Sequence, residues 1–132
     1  MIVSLHVATG GALGALSGSR LAALALGPPL HLACDRVPHE DIADRRFEIG
    51  SGLIALALLG FWRGPLDPAT LGAAAASAPD LEHVVPRLRP HGRKVFHRAG
   101  GWHRAGGLRT DVQLVLAGAI LGLLLKTRTA HP

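Results

Sequence analysis

The segment HLACDRVPHED, residues 31–41, places imidazoles and a carboxylate at spacings suited to a cation. His31 and Asp35 are four residues apart, so on a helix they project from one face, one turn from each other. Pro38 disfavours helical geometry at Val37, which predicts that the helix ends there. His39 then stands just past the end and can fold back toward the pair. Such a donor set suits zinc or another borderline divalent ion. The same residues would also serve as a buried His–Asp hydrogen bond followed by a charged cap. Glu40, Asp41 and Asp44 fit capping better than ligation, because acidic groups are favoured at helix starts, where backbone N–H groups are unpaired. His39 and Glu40 do not begin HExxH, since residue 43 is Ala.

Two further stretches carry similar chemistry. In SAPDLEHVV, residues 77–85, Asp80 and His83 are three apart and share a helical face. They could join a metal shell, with Asp80 or Glu82 accepting a proton from water, or simply mark a polar helix end. In FHRAGGWHRAGG, residues 96–107, the pentapeptide HRAGG occurs on both sides of Trp102. Its glycine pairs let backbone approach a ligand. His97 and His103 are candidate ligands, and Arg98 and Arg104 are candidate forks for a phosphate or carboxylate. The alternative is a basic loop whose duplication has no chemical role. His6 lies four residues before Gly10, on the face where a neighbouring helix must approach. The candidate ligands are therefore His6, His31, Asp35, His39, Asp80, His83, His97 and His103. Asp80, Glu82, Arg98 and Arg104 are the candidate catalytic groups. His91 and His131 take no role.

Five apolar segments must position these residues: 2–17, 21–35 with Pro28 and Pro29 interrupting it, 47–62, 65–83 and 112–125. The expected fold is all-α, a single domain over 1–132 with a basic loop at 84–110. Three Phe, two Trp and no Tyr are few rings for a water-soluble core of this size, while seventeen Gly suit helices that pack closely. The expectation is an integral membrane bundle of four to five short helices. Gly10, Gly14 and Gly18 form one smooth stripe, and Gly118 and Gly122 form another. Either is a candidate face for membrane-protein partners or for a second copy of the chain. Most segments fall short of the roughly 20 residues that cross a bilayer comfortably, and Asp67 and Pro79 make 65–83 the weakest. The lone Cys34 excludes an intramolecular disulfide and a cysteine-based zinc finger.

The chain carries a formal net charge of +5, and its charge is uneven. Between Val84 and Thr110 there are Lys and Arg but no Asp or Glu. With that loop and residues 36–46 inside, the positive-inside rule gives a multi-pass chain with its N-terminus inside. This orientation used only Lys and Arg, yet it collects His6, residues 31–41, Asp80, His83, His97 and His103 at one face. No basic region precedes the first apolar run, which argues against a cleavable signal peptide.

These stretches resemble small bacterial inner-membrane proteins described as metal-dependent hydrolases. That group shows an early histidine, as at His6, a PD-x-(D/E)-H segment, as at 79–83, and an HR…H segment, as at 97–103. The resemblance implies the bacterial inner membrane as the location, with membrane lipids as neighbours. A more distant similarity is to the all-helical zinc-dependent phospholipase C and single-strand nuclease group, whose ligands include an HxxxD helix followed by P-x-H. Here His39 follows Pro38 directly, and the chain opens Met-Ile without that group's N-terminal tryptophan ligand. One or two metals are therefore implied rather than three. Together these likenesses imply a metal-dependent hydrolase acting on a phosphoester or ester, lipid-like substrates included, at the cytoplasmic membrane surface. The rival reading is a non-catalytic small subunit of a larger membrane complex. Nucleic acid is the least favoured partner, since the basic loop offers a single tryptophan for stacking.

Overall fold

The computed structural model describes residues 1–97 and 106–127. The chain forms α1 (Val3–Ser17), α2 (Arg20–Asp35), α3 (Arg45–Arg63), α4 (Pro68–Ser77), a short α5 (Leu81–Val84) and α6 (Thr110–Lys126). Local sequence sets most of the ends. Gly18, at φ 60°, closes α1 through its N–H to the Gly14 carbonyl, and the Ser19 side chain caps α2. Asp44 accepts from the N–H groups of Arg46 and Phe47 at the start of α3. Asp67 caps α4, whose first residue is Pro68. The expected role of Asp44 as a cap is thus observed. Glu40 instead reaches the Thr110 N–H at the start of α6.

α1 is the central helix and touches each of the other four long helices. Its closest neighbour is α4, and glycine makes the approach possible. A Cβ on Gly10 would run into Ala76 and the Gly72 carbonyl, and one on Gly14 would meet the Pro68 carbonyl. The stripe at Gly10 and Gly14 is therefore used inside the chain. Gly118 and Gly122, on α6, have open space where a side chain would stand. Val7, Ala55, Leu59, Ala73 and Leu124 form one core cluster, and Ile2, Leu5, Ala8 and Ala117 form another.

Two expectations are corrected. Pro28 and Pro29 do not interrupt α2, which runs through both. The carbonyls deprived of partners belong to Leu24 and Ala25, which are exposed, so water can replace the lost bonds. The larger correction concerns the membrane. An all-α bundle is observed, but among the described residues no helix is long and apolar enough to cross a bilayer. α3 is the longest at 19 residues, and it carries Arg45, Arg46, Glu48 and Arg63. α1 and α2 are cut to 15 and 16 residues by the turn at Gly18 and by Pro38. The integral membrane bundle, the multi-pass inner-membrane location and the inside N-terminus are therefore withdrawn.

At the far end of the bundle Arg63 and Asp67 form a buried ion pair at 3.1 Å. Arg63 also donates to the Leu124 carbonyl at 3.0 Å and to that of Thr127, closing the end of α6. Arg63 is thus a structural cap.

The glycine geometry makes a paired prediction. Gly14→Ala should destabilise by about 3 kcal/mol, as overpacking against rigid backbone does. Gly118→Ala should be neutral or stabilise by up to about 1 kcal/mol through helix propensity. Urea unfolding of the two variants checks both, and equal effects would contradict the packing described.

Candidate metal centre

The polar residues meet where three helix ends converge. α1 contributes His6 near its start, α2 contributes His31 and Asp35 at its end, and the turn Ala78–Asp80 after α4 contributes Asp80. α2 stops at Asp35 as its sequence predicts, with Pro38 three residues on. Residues 38–40 then run beside residue 108, exchanging the bonds Leu108 N–H to Pro38 O and Glu40 N–H to Leu108 O. Gly107, at φ 95°, lets the chain pass the Pro38 carbonyl, where a side chain would collide. Gln113 fastens this arrangement. Its amide donates to the carbonyls of Glu40 and Leu108 at 2.7 and 3.0 Å, and its oxygen accepts the Ile2 N–H at 3.1 Å.

Asp35 is the hub. Its Oδ1 lies 2.7 Å from the Met1 amino nitrogen and 3.0 Å from His6 Nε2. Its Oδ2 lies 3.2 Å from His31 Nε2 and 3.4 Å from His97 Nε2. Burial pushes this carboxyl up, but the imidazoles of His31, His6 and His97 and the amino group around it outweigh burial and hold Asp35 well below the usual carboxylate range. Its negative charge is thereby fixed in place.

The imidazoles are aimed from behind. His31 Nδ1 lies 2.7 Å from the Ala76 carbonyl, and His39 Nδ1 lies 2.6 Å from the Val37 carbonyl. A carbonyl only accepts, so both Nδ1 atoms carry the proton and each Nε2 presents a lone pair when the ring is neutral. His97 is held likewise, with Nδ1 3.0 Å from Glu82 Oε1. The Nε2 atoms of His31 and His97 then face each other at 3.2 Å. Two bare lone pairs at that distance repel unless a proton or a cation lies with them. Anchoring one ring nitrogen to a carbonyl or carboxylate is the usual way of aiming the other at a metal.

Glu82 differs from its expected role as proton acceptor. Its carboxylate takes the N–H groups of Val95, Phe96 and His97 as well as the His97 ring, which holds it below its usual range against burial. These bonds position His97. Asp80 is more available. Its Oδ1 lies 3.8 Å from His31 Nε2 and 3.7 Å from His97 Nε2, and its Oδ2 is buried with no partner among the described residues. Burial lifts its pKa to about 6, with the charge of Asp35 adding to the shift and His31 and His97 opposing it.

Two groupings of donor atoms could each hold a metal ion: His6, His31 and Asp35, and His31, Asp80 and His97. The distances fit. A tetrahedral ion with ligands about 2.0–2.1 Å away sets them roughly 3.3 Å from one another. His31, His97 and Asp35 already stand at 3.2–3.4 Å, and Asp80 needs to move by only a few tenths of an ångström. His6 is fully buried with its ring stacked on His31 at 3.9 Å, and its Nδ1 has no partner among the described residues. Burial lowers its pKa to about 3, so the ring is neutral and able to ligate.

The other expected ligands lie around this centre. His39 Nε2 contacts the Met1 amino nitrogen and lies 3.4 Å from Asp41 Oδ1, and neither donor grouping includes it. His83 packs against the His97 ring at 4.2 Å, while its Nδ1 lies 3.1 Å from Lys94 Nζ. Burial, with His97 and Lys94, lowers its pKa to about 4. His103, Arg98 and Arg104 lie outside the described residues. Sequence reasoning missed the Met1 amino group, Gln113 and Glu48. A lone amide in the first turn of an apolar helix was the available signal for Gln113.

The centre opens into a cleft of about 260 Å³. Asp35, Asp80, His83 and His97 line it together with Arg45, Glu48 and Ile49 of α3. No family model matches this chain, and no curated protein or solved structure matches it.

Asp80 yields a prediction with a definite sign. A carboxyl whose folded pKa is raised favours the folded state most when protonated, so this contribution is lost as pH rises from about 4 through 6. Asp80→Asn removes that loss. At pH 7 the metal-free variant should be more stable than wild type by roughly 2–3 kcal/mol, at 1.36 kcal/mol per pKa unit. The advantage should shrink toward nothing near pH 4. Thermal unfolding across this range in a chelator checks it, and a difference independent of pH would contradict the burial of Asp80.

Proposed function

We propose that this chain is a divalent-metal hydrolase acting on a phosphoester or ester, with zinc the best-suited ion. The observation that carries the reading is the trio His31 Nε2, His97 Nε2 and Asp35 Oδ2, spaced 3.2–3.4 Å apart and backed by Ala76 and Glu82. Asp80 is the fourth ligand, and His6 offers a second position beside it. A divalent ion held there supplies Lewis acidity, acidifying water and polarising a phosphoryl or acyl oxygen.

The chain's own residues do the rest. The cleft admits a substrate past Arg45 and His83 to the buried carboxylates. Arg45 is directed there by its bond to the His83 carbonyl, which Arg89 also approaches. Lys94 stands on the far side of His83. Among the described residues no carboxylate pairs with these three cations within 4 Å, so they are available for an anionic group. Arg98 and Arg104 follow His97 in sequence and suit the same purpose. The likeness to metal-dependent membrane hydrolases, and to the zinc phospholipase C and nuclease group, supports this reading through residues 31–39, 80–83 and 97.

A second reading, a non-catalytic subunit, draws on the exposed Val115, Leu116 and Leu123 beside the open Gly118 and Gly122 of α6. Comigration with a fixed partner during purification would favour it.

Metal analysis separates the readings. Dialysed wild-type protein should retain zinc stoichiometrically, His31→Ala and His97→Ala should lose it, and His91→Ala should keep it. Hydrolysis of p-nitrophenyl phosphate esters or carboxylate esters should fall at least 100-fold in a chelator and return with zinc. Metal content indifferent to His31 and His97 would remove the basis of the proposal.

A further inference from the structure

A hydrolytic site needs a base for its water, and the cleft narrows the choice to one carboxylate. Asp35 is held by the Met1 amino group and His6, and its Oδ2 stands in the donor trio with His31 and His97. Glu82 is committed to three backbone N–H groups and to holding the His97 ring. Asp80 lies among the donor atoms themselves. Asp41 sits at the rim with its side chain 61% exposed and 3.4 Å from His39. Glu48 remains. It lies in the first turn of α3, half-buried, and lines the same cleft as Asp80 and His97.

We propose that Glu48 accepts the proton of the attacking water and later delivers it to the leaving group; this rests on the hydrolase reading above. A water in the cleft gives one proton to the Glu48 carboxylate, and its oxygen forms a bond to the phosphorus or acyl carbon. The bond from that atom to the leaving oxygen breaks, the leaving oxygen keeps the electron pair, and protonated Glu48 returns the proton to it. Atoms and charge balance without another reactant.

The surroundings of Glu48 suit this cycle. Burial raises its pKa, the charges of Asp41 and Asp80 add to the rise, and the Met1 amino group and the Val3 N–H oppose it. Asp35, Arg45, His83 and His97 complete the titratable and charged lining of the cleft. A carboxyl that holds its proton closer to neutrality exchanges it more readily in both directions.

The alternative is structural: Glu48 stands in the first turn of α3 and bonds the Val3 N–H at the start of α1, so it could serve only to hold helix ends. The test uses Glu48→Gln and Glu48→Asp in the full chain, with zinc and p-nitrophenyl esters as probes. Expected in Glu48→Gln are unchanged zinc content and melting temperature, a kcat about 100-fold lower, and loss of the acid limb of the kcat profile. Glu48→Asp should recover part of the rate. In metal-free protein, ¹³C NMR should show the Glu48 carboxyl titrating above free glutamate. Wild-type turnover in zinc-loaded Glu48→Gln would overturn the role of Glu48 and leave the hydrolase standing. Loss of zinc or of folding in that variant, with Glu48→Asp no better, would make the residue structural and overturn the role as well. A zinc-loaded wild type that cleaves neither ester would remove both proposals.

Discussion

Asp35 carries a negative charge in a place that water barely reaches, and such a charge is costly unless partners surround it. Three imidazoles and an amino group do so, drawn from α1, from α2 itself and from residue 97. The partners come from the start of the chain, from α2 and from residue 97, so the carboxylate fixes where these elements meet. Removing it would leave several buried polar groups without an acceptor. The cleft, the aim of the histidines and the position of the 95–97 segment all follow from satisfying this one group.

The helices are arranged so that this convergence is possible. Gly10, Gly14 and Gly72 let α1 and α4 meet backbone to backbone, and Gly27 lets α2 approach Ala75. Because α4 then lies against both helices, the Ala76 carbonyl reaches His31 and the following turn delivers Asp80. The opposite end is closed by Arg63 and Asp67, whose charges are matched to each other and to the end of α6. Both ends bury charge, but they differ in what is left over. Arg63 and Asp67 satisfy each other, whereas the Asp35 end retains an unpartnered oxygen on Asp80 and facing lone pairs on His31 and His97. Those donor atoms are ones that could hold a cation, whereas the Arg63 end has its charges already matched.

The apolar composition suggested lipid, and the helices do not bear that out. Seventeen glycines and a shortage of aromatic rings serve close helix contact, which a small bundle of short helices needs as much as a membrane protein does. Hydrophobic count alone does not set helix length; caps do. Gly18, Ser19, Pro38 and Asp44 cut the apolar runs before they reach spanning length.

By itself the sequence determined the existence and approximate limits of the five long helices, the end of α2 before Pro38, and the pairing of His31 with Asp35. These follow from local rules: periodicity, capping and the steric demand of proline. It also marked Asp80 and His97 by chemical type. Only the tertiary structure decided that His97 rather than His39 or His83 joins His31, that Glu82 bonds the 95–97 segment and the His97 ring, and that Gln113 ties the start of α1 to the start of α6. Those outcomes depend on distances between residues far apart in the chain. Whether a buried donor finds its acceptor is decided by how the helices pack, and spacing along a single segment carries no record of that.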